Sequence, residues 1–148
     1  MWSAPTPAGP VKTGRRKQEL DRRSFQISDR GHVVVVRVVI VGASGNIGTS
    51  LLDALANENR VDSVLGLARR LPESSYPKTE WASTDVRTDD LEAHVRGAEV
   101  VVHLAWAIQP SHDAAVLRST NVEGSRRVLE AVARARVPAL VYASSVGT

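Results

Sequence analysis

The chain has 148 residues, 43% of them hydrophobic and 24% charged, which is room for one domain with a buried core. It contains no cysteine, so disulfides, thiolate nucleophiles and cysteine-ligated zinc are excluded, and a reducing, cytoplasmic setting is expected. The net charge of +3 resides in residues 1–32, where seven Lys/Arg stand against three acids; the rest, with 12 basic and 13 acidic residues, has no electrostatic footprint for nucleic acid.

Residues 1–32 are rich in proline, serine and charge (Pro5, Pro7, Pro10, then Arg15-Arg16-Lys17 and Asp21-Arg22-Arg23) and lack apolar periodicity. They are expected to form a disordered basic tail ahead of a domain over 33–148. Val33 to Val41 is a β-branched run without alternation, as a central strand buried on both faces should be. Interrupted by Arg37, it is far too short to span a bilayer, and no membrane partner is expected.

Past a glycine-rich turn, Ile47, Leu51, Leu52 and Leu55 share one helical face, in a helix ending near Asn59. Val64 to Ala68 reads as a second strand, Trp81 to Thr84 as a short third, Leu91 to Val95 as a short helix and Val100 to Ala105 as a fourth strand. A long helix from about Asp113 to Ala135 is expected to turn Val116, Val122, Leu129 and Val132 inward. Pro138 blocks its continuation and Ala139 to Ser144 makes a fifth strand. Alternating strands and helices joined by right-handed crossovers imply an α/β fold, a doubly wound parallel sheet of the Rossmann type, truncated after its fifth strand. Such a sheet would leave one edge and part of one face uncovered.

The chemistry concentrates in Gly42-Ala43-Ser44-Gly45-Asn46-Ile47-Gly48, between a buried strand and an amphipathic helix. Gly42 permits a tight exit from the strand, Gly45 lets backbone approach a diphosphate, and Gly48 lets the helix pack against the sheet. The N–H groups of Asn46, Ile47 and Gly48 then face the phosphates with the positive end of the helix dipole. No Gly-Lys-Ser/Thr follows, so a P-loop is excluded. About 20 residues on, where an NAD-specific site carries an acid for the ribose hydroxyls, stand Arg69-Arg70. Guanidinium groups pair with a 2′-phosphate and a carboxylate would repel it, so NADP(H) is favoured, with NAD(H) the alternative. The missing acid also argues against S-adenosylmethionine.

The GxxGxxG spacing of Gly42, Gly45 and Gly48 resembles the short-chain dehydrogenase/reductase superfamily, and further segments, in order, resemble its extended branch, the NAD-dependent epimerase/dehydratase family. Val41 stands where that branch usually has threonine. Asp85-Val86 looks like the family's adenine-contacting Asp and hydrophobe. His103-Leu104-Ala105-Trp106 resembles HLAA, the turn beneath the cofactor, with Trp106 replacing the last alanine. Asn121-Val122-Glu123-Gly124 resembles NVxG, whose asparagine is structural and supports a proton relay. Tyr142-Ala143-Ser144-Ser145 resembles YASS, which would give Ser145 a catalytic role on the substrate oxygen. Singly, each has a plain structural alternative: a core histidine, a buried amide, a strand cap.

The resemblance implies a dinucleotide cofactor bound by Ser44, Leu104, Ala105 and Asn121 besides the residues above, a small-molecule substrate, no metal, and dimers packed partly through the long helix. It also implies a YxxxK pair. This chain has only Tyr76 and Tyr142, followed four residues on by Glu80 and Val146. The expectation is therefore an NAD(P)-binding front portion inactive alone, or a non-catalytic dinucleotide-binding, redox-sensing module.

Overall fold

The computed structural model describes residues 35–107 and 114–144; the expected tail and Ser145 lie outside them. Among the described residues ten elements follow one another. Strand β1 (Val36–Val41) leads into α1 (Asn46–Ala56), then β2 (Val61–Ala68), β3 (Thr79–Ser83), α2 (Glu92–Val95) and β4 (Val100–His103). The long helix follows as α3 (Ala114–Arg118), a π-helical stretch (Ser119–Gly124) and α4 (Ser125–Arg134), and β5 (Ala139–Tyr142) closes the series.

The five strands form one parallel sheet in the order β3-β2-β1-β4-β5, the doubly wound arrangement. Alternation along β1 divides the core between two faces, as the period of two in a strand demands. Val39 and Val41 join Leu67, Val101, Val128 and Val132 on the α2/α4 side. Val38 and Ile40 join Leu52, Val64 and Val102 under α1. Arg37, which interrupts the apolar run, donates from Nη1 to the Arg96 carbonyl (2.8 Å) just past α2, so a cation ends that helix. Among the described residues no helix is long and apolar enough to cross a membrane.

The strands lie where the sequence puts them, with edges shifted by a few residues. The long helix departs from expectation in its facing. Val116, Val122 and Leu129 are 40–51% exposed, and of the four residues expected inward only Val132 is buried. Thr120, Gly124, Ser125, Val128 and Ala131 take the inner positions instead. The helix lies so close to the sheet side that a Cβ on Gly124 would come within 2.7 Å of Val86 Cγ2. Such an approach selects small residues, and the wide π turn rotates the flanking α-helical faces relative to each other. Ile47 likewise points outward, 65% exposed, at the first turn of α1. Edge strand β5 leaves Val141 and Tyr142 exposed.

Candidate functional site

At the carboxyl ends of β1, β2 and β4 a cleft of about 200 Å³ opens, at the point where strand order reverses. One wall is the glycine turn. The N–H groups of Gly42 and Ala43 both donate to the Leu67 carbonyl (2.9 and 3.2 Å), tying the turn to the end of β2. Gly42 has φ +88°, a left-handed conformation, and a Cβ there would lie 2.8–2.9 Å from the main chain of Leu104 and Ala105. Only glycine satisfies both conditions. A Cβ on Gly48 would collide with the Ala43 backbone, so the start of α1 seats directly on the turn. Gly45 is the N-cap of α1 and supplies no side-chain cap. The first N–H groups of the helix are thus left for a ligand, and an anion is stabilised there.

The opposite wall is the 104–107 segment after β4. Leu104 N–H donates to the Val41 carbonyl (2.8 Å), continuing the β1–β4 pairing past the strand end. Asn121, on the π-helical stretch, clamps the segment: its Oδ1 accepts from Ala107 N–H (2.8 Å) and its Nδ2 donates to Ala107 O (3.1 Å). Both ends of the amide are therefore committed to backbone, and Asn121 does not line the cleft. His103 is fully buried, its Nε2 2.9 Å from Ser125 Oγ, while Nδ1 has no partner. Burial pushes its imidazole down to about 4, so it is neutral near pH 7. The ring serves as a core histidine, packed 5.2 Å from that of Tyr142. Trp106, 6.2 Å from the same tyrosine, lines the cleft with a buried, unpartnered Nε1.

The cleft continues to the ends of β2 and β3, where Arg69, Asp85 and Val86 line it. Asp85 is held by Arg87: the guanidinium donates from Nη2 to Oδ2 (2.6 Å) and from Nε to both oxygens (3.0 and 3.1 Å), and Arg87 N–H donates to Oδ1 (3.0 Å). These bonds, the side-chain ones foremost, bring the Asp85 carboxyl down to about 2. Arg127 on α4 fastens the loop from behind, donating to the carbonyls of Val86 (3.0 Å) and Asp89 (2.6 Å).

Of the residues the sequence singles out, Gly42, Ser44, Gly45, Arg69, Asp85, Val86, Leu104, Ala105 and Trp106 meet around this one cleft. Asn46, Ile47, Gly48, Arg70 and Asn121 stand outside its lining. Sequence reasoning missed Thr84 and Thr120, both buried and both lining the cleft, and the holding roles of Arg87 and Arg127. Arg87 was within reach of reasoning, since an arginine two residues after an aspartate at a strand end invites an ion pair. Arg127 carried no signal, because its partners are carbonyls 38–41 residues away. Among the described residues no cluster of histidines and carboxylates is disposed to hold a metal ion.

Strand order, glycine turn and a cleft at the switch point define a Rossmann-type α/β protein. The chain belongs to the NAD dependent epimerase/dehydratase family, whose profile matches residues 38–148. It is 32% identical over 114 residues to L-arabinose 1-dehydrogenase (NAD(P)(+)) of Haloferax volcanii, covering 75% of this chain and 41% of that protein. The solved structure of MoeE5 in complex with UDP-glucuronic acid and NAD superposes with a TM-score of 0.65 at 29% identity, over 74% of this chain and 36% of that one. Uronate dehydrogenase from Agrobacterium tumefaciens shares the fold, with a TM-score of 0.64 at 23% identity over 76% and 41%. The chain thus spans about two-fifths of the length of these relatives.

Proposed function

We propose that this chain is the cofactor-binding part of an NAD(P)-dependent oxidoreductase or epimerase acting on a sugar or sugar nucleotide. The observation that carries the reading is the cradle beneath α1. Gly42 is stripped of side chain against Ala105, and the uncapped helix start leaves amides for a diphosphate. A dinucleotide fits this donor set. Its diphosphate would rest on Gly42, Ser44 and Gly45 and on the amides of Asn46, Ile47 and Gly48, with the adenine beside Asp85 and Val86. Arg69 and Arg70 would take the adenosine ribose end, favouring NADP(H) over NAD(H). Leu104, Ala105 and Trp106 would floor the remaining length, with Asn121 acting on the cofactor through Ala107.

When bound, the nicotinamide supplies a hydride acceptor or donor for the substrate carbon. The chain's own share is to bind, orient and exclude water, and Ser145, by resemblance, would hydrogen-bond the substrate oxygen. The sugar class is supported by the relatives, one an L-arabinose 1-dehydrogenase and the other solved in complex with UDP-glucuronic acid and NAD.

A second reading is a dinucleotide-binding module without catalysis. The same cradle serves it, because holding a diphosphate on backbone amides requires no proton-transferring residue. Both readings are tested by titrating the purified chain with NADPH and NADH and following tryptophan fluorescence. Saturable binding, tighter for NADPH, is the expected result, and no response to either at millimolar concentration overturns both. Enzyme-like turnover of a sugar substrate by this chain alone overturns the non-catalytic reading.

A further inference from the structure

We infer that Arg87 is a positioning residue for cofactor choice: it occupies Asp85, and so leaves Arg69 free for the 2′-phosphate of NADP(H). The inference rests on the reading above and adds a residue to it.

Asp85 and Arg69 line the same cleft, and Arg69 is near enough for its charge to act on the Asp85 carboxyl. An aspartate beside an arginine meant for a phosphate is a competitor, because the carboxylate and the phosphate want the same guanidinium fork. Arg87 removes that competitor. Its side chain and main-chain N–H together direct four hydrogen bonds, 2.6–3.1 Å long, at the two Asp85 oxygens. The turn that allows this is local, with Arg87 two residues after Asp85, and Arg127 and Val86 anchor it to α4. With Asp85 engaged, neither Arg69 nor Arg70 shows a side-chain hydrogen bond or ion pair among the described residues.

The charges around the loop are consistent with this division. Asp89, the next acid, accepts the Asp85 N–H (2.8 Å), and Arg127 reaches the Asp89 carbonyl. Removal of Arg87 would take one cation from beside Arg69, Arg70, Asp85 and Asp89 while Arg127 stays in place. The adenosine end would lose positive charge, which a 2′-phosphate feels and a 2′-hydroxyl does not.

The test is the ratio of NADPH to NADH affinity, measured by fluorescence titration of the whole chain and three variants, with thermal midpoints as a folding control. Arg87→Gln should lower the ratio about fivefold to tenfold, mainly through NADPH, as Asp85 turns to Arg69. Arg87→Lys should fall between. Arg87→Gln combined with Asp85→Asn should bring the ratio back, because the competitor is gone, whatever happens to the adenine contact common to both nucleotides. An unchanged ratio in Arg87→Gln, an equal fall for both nucleotides, or a double variant that stays low overturns the inference and leaves dinucleotide binding standing. A wild-type chain with no preference for NADPH does the same. A wild-type chain that binds neither nucleotide overturns the reading beneath it as well.

Discussion

Replacing Gly42 by alanine tests the cradle at its narrowest point. The substitution forces an L side chain to φ +88°, at a cost of about 1–2 kcal/mol. It also drives a Cβ to 2.8–2.9 Å from the backbone of Leu104 and Ala105. That backbone cannot easily retreat. Leu104 N–H is bonded to Val41 O at 2.8 Å, and Ala107 is clamped by Asn121 through both amide atoms. Relief therefore requires shifting β4's exit, for a further 1–3 kcal/mol or so. The total, on the order of 3 kcal/mol, is a large share of the stability of a small domain, and corresponds to a fall in thermal midpoint of roughly 10 °C. Gly45→Ala is the matched control: its φ is −80°, and its Cβ would touch only the Gly42 carbonyl at an ordinary 3.4 Å. It should cost no more than about 1 kcal/mol. By intruding where a phosphate meets backbone amides, it should still weaken NADPH binding about tenfold. Thermal denaturation and nucleotide titration of the pair read both effects. A Gly42→Ala chain that melts with the wild type, or a Gly45→Ala chain that binds unimpaired, would refute the geometry.

Three further outcomes follow from the same contacts. Asn121→Ala removes both bonds to Ala107 and should cost about 2 kcal/mol in urea denaturation while weakening NADPH, with Asn121→Asp, which keeps only the acceptor, in between; intact binding in the alanine variant would sink the clamp. The folded-state pKa of His103, near 4, lies below that of an unfolded histidine, near 6.5, so the unfolded chain takes up the proton first. His103 should contribute nothing to the pH dependence of stability above about pH 6.5 and a loss of roughly 3 kcal/mol toward pH 4, so His103→Gln should flatten the slope in chemical denaturation between those limits. Gly124→Ala, whose Cβ would meet Val86 Cγ2 at 2.7 Å, should destabilise by about 1–3 kcal/mol, and Val86→Ala should relieve much of it. Additive costs in the double variant would show that the two residues do not touch.

Much of this molecule could be read in one dimension because its signals are local. A β-branched run marks β1, glycines three residues apart mark the turn, and a proline after the long helix marks its limit. Each depends on backbone preferences that a few neighbouring residues settle, which is why order, type and approximate bounds of the elements survive in the structure. Which atoms face one another is a different matter. The long helix turns Thr120, Gly124 and Ala131 inward rather than its larger apolar residues, because the depth of the gap above the sheet belongs to two elements at once.

The same division runs through the candidate site. Gly42, Gly45, Arg69 and Asp85 are visible as motif positions, yet only the folded chain brings the end of β2, the loop after β3 and the turn after β4 to one cleft. Only the folded chain gives Asp85 to Arg87 and Asn121 to Ala107, since a hydrogen bond depends on angles and distances between segments that sequence order does not record. Chain chemistry chose the parts and their succession; packing in three dimensions chose the partners.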